Sequence, residues 1–503
     1  MEAYALPVNK QFQGSLEKFL ELIQKLQSGT TQRMQLSSLE SLVAVDGREV
    51  FRLLLEEQIQ QRGVGDFGPS IEGQDGIERT HRRERTIKLK TIFGEIKIER
   101  LIYSKPESTS LIPKEAILNI PENSYSHGLQ QMLSHGLAKN SYSEAIAAVK
   151  ERTSVDIPRR QAEDVVRIAA TDFQDFYEDR GMQALRKATR DNEFVVLTTD
   201  GKGIVMRKED LREATKKRAD ETEHKLKTRL SKGEKKNAKR MAQVASVYSI
   251  EPHERTAEQI VSGHKTEKPP KPQAKRVWAS LESDAKDVVS QMFDEAVRRD
   301  PHKKRDWVVL VDGQQYQLGL IKDQISSRNT PATIILDIVH VIEYLWKAAR
   351  DFHPEASADC EAWVSHYLLM ILEGKAKQAA AAIRRSATCQ VIEKREAIEK
   401  CATYLHNNAP YMNYDKYLAA GSPIGTGVIE GACRHLVKDR MDITGARWSL
   451  KGAEAVLQLR SICASGDWEE YWAYHEAAEY KRNHRSLYVY PERMEKVGLR
   501  LVK

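Results

Sequence analysis

The chain has 503 residues, 41% of them hydrophobic and 30% charged, with 79 Lys and Arg against 72 Asp and Glu for a formal charge of +7. Such a balance excludes a disordered or fibrous chain, and the length leaves room for several domains with large cores. A mildly basic surplus permits nucleic acid as a partner without requiring it.

The opening stretch "MEAYALPVNKQFQGS" has no charged region followed by an apolar run, so no secretory signal is expected. Over residues 15–62, Leu16, Phe19, Leu20, Ile23 and Leu26 recur at helix spacing, and "EVFRLLLEEQIQQRG" predicts a second helix stopped by Gly63. A Gly-rich loop follows. The period then changes in "RTIKLKTIFGEIKIERLIYS", where Ile87 and Leu89, then Ile96 and Ile98, alternate with charged residues. This predicts a β-hairpin with one wet, basic face, which also serves as a charged edge against aggregation.

Residues 126–180 return to helix. Within "SYSEAIAAVKERTSVDIPRRQAEDVVRIAA" a helix carrying Ile146 and Val149, a turn at Ser154–Ile157 and a second helix opening at Pro158 have the build of a helix-turn-helix. Arg159, Arg160 and Gln161 stand at the start of the second helix, where such motifs meet DNA; an ordinary helical hairpin has the same pattern.

From residue 193 strands predominate. "EFVVLTTD" ends in Asp200, a charged segment follows, "MAQVASVYSIEP" is a second strand, and "HKTEKPPKPQAK" reads as a linker or long loop. After one helix, "DWVVLVDGQQYQ" is a third strand ending in Asp312, and "ATIILDIVHVIEYLW" is a short strand running into a helix. Residues 360–405 read as wholly helical, and the greasy run "WVSHYLLMILEG" is too short and polar to span a membrane. The five cysteines all lie between 360 and 463 without zinc-ligand spacing, so reduced, buried thiols are expected.

The carboxylates raise the chemical question. Asp200 and Asp312 close hydrophobic strands, as two-metal phosphoryl-transfer sites require, although Asp-Gly is also a common turn dipeptide. Near the C-terminal end, "GSPIGTGVIEGACRHLVKDRMDITGARW" sets Glu430 at the start of a helix. Its positions Ile429, Cys433, Leu436, Val437 and Arg440 make one face; Glu430, Arg434 and Lys438 make the other. A carboxylate above two cations is either a string of surface ion pairs or a metal ligand beside phosphate clamps.

That block, with "VVLTTDGKGI", "VASVYSIEPHERT", "WVVLVDGQQYQ" and "IILDIVHVIEYLW" in the same order, resembles the bacterial insertion-sequence transposases of the ISKra type, members of the DDE group, over about residues 190 to 460. The resemblance implies an α/β fold with an RNase H-like, retroviral-integrase-type catalytic core. An all-helical insertion interrupts that core, and a mainly helical DNA-binding region with a β-hairpin precedes it. The expected divisions are 1–75, helical; 76–185, hairpin and helix-turn-helix; 186–345, first part of the core with a charged insertion at about 207–240; 346–420, helical insertion; and 421–503, the last part of the core with C-terminal helices.

It further implies that Asp200, Asp312 and Glu430 are the catalytic, metal-binding acids, with Asp337 and His340 of "DIVH" in support. A rival assignment makes Asp337 the second acid. Two Mg²⁺ ions are expected, with Mn²⁺ as a substitute. Arg434, Lys438, Arg447 and Trp448 are expected at the DNA, Trp448 either stacking on a base or packed in the core. The implied activity is binding of terminal inverted repeats, cleavage, and joining of 3′-OH ends to target DNA by a homodimer or larger assembly in the bacterial cytoplasm. The alternatives are an RNase H-like nuclease or resolvase, and a transposase-derived protein that binds DNA without cutting.

Overall fold

Two helices, a hairpin and a three-helix cluster open the chain in the order their periodicity predicts. The computed structural model describes residues 12–184, 193–221, 232–263, 268–388 and 392–489. Two units are distinguished by their internal contacts, one made of the chain up to Asp172 together with Trp468 onward, the other of Phe173–Asp467.

In the first unit, helices α1 (Gln13–Gln27) and α2 (Leu36–Gln61) form an antiparallel pair, and the Glu57 carboxylate accepts from the Gly14 backbone N–H at 2.8 Å. Strands β1 (His81–Thr91) and β2 (Gly94–Ser104) pair with Ile87 opposite Ile98 and Leu89 opposite Ile96. Leu89, Ile96 and Ile98 pack on Ile59 of α2, leaving Lys88 and Lys97 in water, as period-2 alternation requires. Helices α3 (His127–Lys139), α4 (Tyr142–Thr153) and α5 (Arg159–Ala169) follow. Ser141 and Glu144 cap α4 reciprocally, and Ser154 ends it in the left-handed conformation at φ 59°. Val155 and Ile157 of the turn are buried, as are Ala162, Val165, Val166 and Ala169 of α5.

The helix Trp468–Asn483 belongs to this first unit, not with the core that precedes it as the sequence division had it. Its Tyr471 hydroxyl donates to the Ala169 carbonyl at 2.6 Å, and buried His475 bonds Asp172 at 2.7 Å. These partners lie some three hundred residues upstream, out of reach of local pattern.

In the second unit, α6 (Phe173–Ala184) leads to a five-stranded mixed sheet. Its strands are β3 (Phe194–Val205), β4 (Lys239–Ile250), β5 (Gln273–Ser280), β6 (Trp307–Val311) and β7 (Ala332–Leu336), in spatial order β5-β4-β3-β6-β7. Strand β4 is antiparallel to both of its neighbours, β5 and β3, while β3, β6 and β7 run parallel. Successive residues Val195, Val196 and Leu197 are all fully buried, so both sheet faces are covered, which is why these strands read as unbroken apolar runs.

Strand β5 starts inside the stretch taken for a Pro/Lys linker, and it is buried only from Arg276 to Ser280. Helices α7 (Ala285–Arg299) and α8 (Gln315–Arg328) precede β6 and β7, and α9 (Ile338–Phe352) follows β7. Then come α10 (Ala358–Leu372), α11 (Ala376–Ala387) and α12 (Ile392–Asn408), as helical as expected. Part of the charged stretch at 207–240 lies outside the described residues; Glu213–Asp220 and Lys232–Asn237 are helical. Among the described residues no helix is long and apolar enough to cross a membrane.

Leu197 sits fully buried on the central strand. Leu197→Ala should therefore cost about 3 kcal/mol, as cavity-forming core truncations do. A chemical-denaturation series on the second unit's transition checks this; a loss within error of zero would contradict the burial.

Candidate metal centre

Register alone lines up three acids. Thr198 pairs with Leu310, so two residues on Asp200 comes level with Asp312; Val311 pairs with Leu336, so one residue on Asp312 comes level with Asp337. The three therefore occupy one row across adjacent parallel strands, at or just beyond the carboxyl ends of β6 and β7. Residues level in a parallel sheet share a face.

Each acid is held differently. Asp312 begins a turn that needs Gly313 at φ +91°, and its Oδ1 accepts from the Gln314 N–H at 2.9 Å. The Tyr404 hydroxyl of α12 donates to the Asp312 carbonyl at 2.8 Å, and the Tyr414 hydroxyl to the Leu336 carbonyl at 2.7 Å. Asp337 is wholly buried and caps α9: Oδ1 accepts from the N–H groups of Val339 at 3.0 Å and Thr426 at 3.1 Å, and Oδ2 from the Thr426 hydroxyl. The Ile338 N–H donates to the Ile424 carbonyl at 2.9 Å, completing the seam between the end of β7 and the "GSPIGTG" approach. Within that approach Gly421 is required: at φ +72°, an added Cβ would stand 2.5 Å from the His253 nitrogen.

Helix α13 (Gly427–Ala432) begins at Thr426 and continues as a π-helical turn over Cys433–Lys438, a local widening often found at functional sites. The two faces are as read from the sequence. Ile429, Cys433, Leu436, Val437 and Arg440 are buried, and Glu430, Arg434 and Lys438 are exposed. The Cys433 thiol donates to Asp200 Oδ2 at 3.1 Å, tying the helix to β3, and burial followed by the Asp200 charge pushes its pKa well up.

Asp337, His340 and Glu430 offer ligand atoms all within 4.8 Å of one another, a group that can hold a metal ion. His340 Nε2 is 3.9 Å from Asp337 Oδ2. The Glu430 carboxyl is held above its usual range, first by desolvation and then by the Asp337 charge, with Glu343 and Asp200 adding and His340 opposing. Crowded carboxylates of this kind are what a bound cation relieves, and oxygen donors with one imidazole suit a hard or borderline ion. Asp312 and Asp200 stand outside the close group but within the row.

The remaining predicted residues divide. Arg447 is exposed, whereas Trp448 is buried, its indole N–H donating to the Met441 carbonyl at 3.0 Å and its ring lying 4.9 Å from the Arg440 guanidinium. In the first unit Arg159 and Arg160 are exposed, Arg159 pairing with Glu163 at 3.3 Å, and the Gln161 side chain is engaged by the Tyr125 hydroxyl. Sequence reasoning missed Thr426, Tyr404 and the Cys433 contact. Only Thr426, at the N-cap position before Glu430, left a local signal.

Because the folded Glu430 carboxyl titrates above its unfolded value, its ionised form opposes folding. Glu430→Gln should therefore melt higher than wild type near neutral pH without divalent cations. The advantage should be absent below the unfolded carboxylate range, where both forms are uncharged, and grow as pH rises through the folded pKa. Mg²⁺ or Mn²⁺ should raise the melting point of wild type more than that of the variant. Scanning calorimetry across pH, with and without the ion, checks both. Compared with models of known protein families the chain matches none, and no curated protein matches it.

Proposed function

We propose that this chain is a transposase of the DDE group with an RNase H-like core, acting on the DNA ends of its own insertion sequence. The observation that carries this reading is the convergence of acids. Three aspartates share one row, Asp200 within β3 and Asp312 and Asp337 just past the ends of β6 and β7, and two tethers, Thr426 to Asp337 and Cys433 to Asp200, draw Glu430 toward them. A mixed sheet covered on both faces is the rigid framework that a phosphoryl-transfer centre needs.

The donor set suits two Mg²⁺ ions, with Mn²⁺ as a substitute. Asp337, His340 and Glu430 are close enough to share one, and Asp200 and Asp312, neighbours in the row, supply carboxylates for the other. When bound, such ions activate an attacking oxygen and neutralise charge on the phosphate. The chain's own residues position and steady. Strand ends hold the carboxylates in place before substrate arrives, so little reorganisation accompanies reaction. Arg434 and Lys438, exposed on the face of Glu430, grip DNA phosphates, and Arg447 extends that strip. In the first unit, α4 and α5 act as the helix-turn-helix, with Arg159 and Arg160 at the exposed start of α5 meeting DNA. No side-chain nucleophile is used: water cleaves at the element's end, and the freed 3′-OH attacks a phosphate of target DNA.

The test uses labelled duplexes ending in the inverted repeat that flanks the gene, incubated with Mg²⁺ or Mn²⁺, scoring end cleavage and joining to a second duplex. Wild type should do both. Asp200→Asn, Asp312→Asn and Glu430→Gln should each lose at least about 10²-fold in rate, the scale of removing one such stabilising group, while remaining folded. Asp337→Asn should lose activity together with thermal stability, since it breaks the Thr426 tether. Full activity in Asp312→Asn would leave Asp337 as the second acid. Cleavage without joining would make the protein a nuclease, and tight binding without cation-dependent chemistry would make it a binding protein only.

A further inference from the structure

Ten large apolar side chains stand exposed among the described residues, and eight of them lie on α1 and α2. On α1, Ser15 and Leu22 are buried, whereas Phe19 and Leu20 are each 47% exposed and Leu26 36%. The stripe that makes this helix amphipathic therefore faces outward. On α2, Leu36, Val43 and Leu54 are 72%, 44% and 37% exposed, and their spacing of 7 and then 11 residues puts them on one line along the helix. Phe51, 55% exposed, stands beside that line. The first ten residues of α2, "LSSLESLVAV", carry a single charge, at Glu40. Such a surface offers nothing to a phosphate backbone, and among the described residues these side chains stay open to solvent, the hairpin packing on the Ile59 side of α2.

We propose that this face binds the same face of a second copy of the chain, the two helix pairs forming a four-helix bundle about a two-fold axis. Covering these seven side chains would remove on the order of 700 Å² per chain, close to the roughly 800 Å² per partner of a stable interface. One apolar face occurs once per chain, so a two-fold axis sets like against like and closes the assembly at two. Bundles of this kind bury just such stripes at their centre. The inference does not rest on the reading of the acids.

The full chain, without DNA, is weighed by light scattering after size exclusion and by sedimentation velocity. Wild type should have the mass of two chains, and Phe19→Glu with Leu36→Glu the mass of one. Because both side chains are exposed in the single chain, the double variant should keep its circular dichroism. Only the wild-type melting point should rise with protein concentration. A second pair, Leu20→Arg with Val43→Arg, should behave like the first. Tyr316→Glu, at an exposed aromatic on α8, should leave two chains together. A wild type with the mass of one chain overturns the proposal, whether the face is then covered by another segment or left bare. So does either double variant that keeps the mass of two.

Discussion

A carboxylate with no exposure to water sits at the hinge of the candidate site. A buried charge costs several kcal/mol unless its lone pairs are met, and Asp337 meets its own with three donors, the Val339 N–H and both the N–H and hydroxyl of Thr426. Two of those three come from a segment eighty-nine residues further on, so the charge stays satisfied only if that segment returns to the end of β7. The helix bearing Glu430 starts at Thr426, and its direction follows from that return. Cys433 gives a second fixed point on β3, about two turns along. With both ends of that stretch pinned, Glu430 has little freedom to move away from Asp337 and Asp200, and its carboxyl is held above its usual range first by desolvation and then by the Asp337 charge.

The elements were largely legible because their periods are clean. Ile87, Leu89, Ile96 and Ile98 alternate as a half-buried hairpin must, and "VVLTT" and "VVLV" read as strands because both faces are covered. Strand β5 was not legible: its first residues, "QAKR", follow a Pro/Lys run and look like linker until Val277 and Trp278 are seen packed beside β4. The C-terminal helix misled for another reason. Its own pattern is helical and correct, but its partners, Ala169 and Asp172, lie about three hundred residues away, and no local signal says which unit a helix will join.

The site was legible in its members and not in its geometry. Asp200, Asp312 and Glu430 stood out as acids at strand and helix ends, but the row they share with Asp337 exists only through registers between strands 25 to 112 residues apart. In sequence, Asp312 and Asp337 are equivalent strand-end acids. In the fold they differ: one is part-exposed with a single backbone donor on its carboxylate, the other sealed under Thr426. A similar contrast separates Arg447 from Trp448, adjacent in "GARW" yet respectively open to solvent and packed beneath Arg440.

Crowding and rigidity are linked in this arrangement. Like charges at strand ends would ordinarily part, through a rotamer change or a shift of the helix, and so lower their repulsion. Here the sheet cannot yield, being packed on both faces. The helix cannot yield either without unsatisfying Asp337, and the strand ends are further held by the Tyr404 and Tyr414 hydroxyls bonded to the carbonyls of Asp312 and Leu336. Two ways to lower the repulsion are then left: protonation, toward which the Glu430 carboxyl is already shifted, and a counter-charge, such as a cation that Asp337, His340 and Glu430 are close enough to hold. What sets this place apart is not an excess of acids, which any surface can carry, but that the packing around them removes the acids' means of moving away from one another.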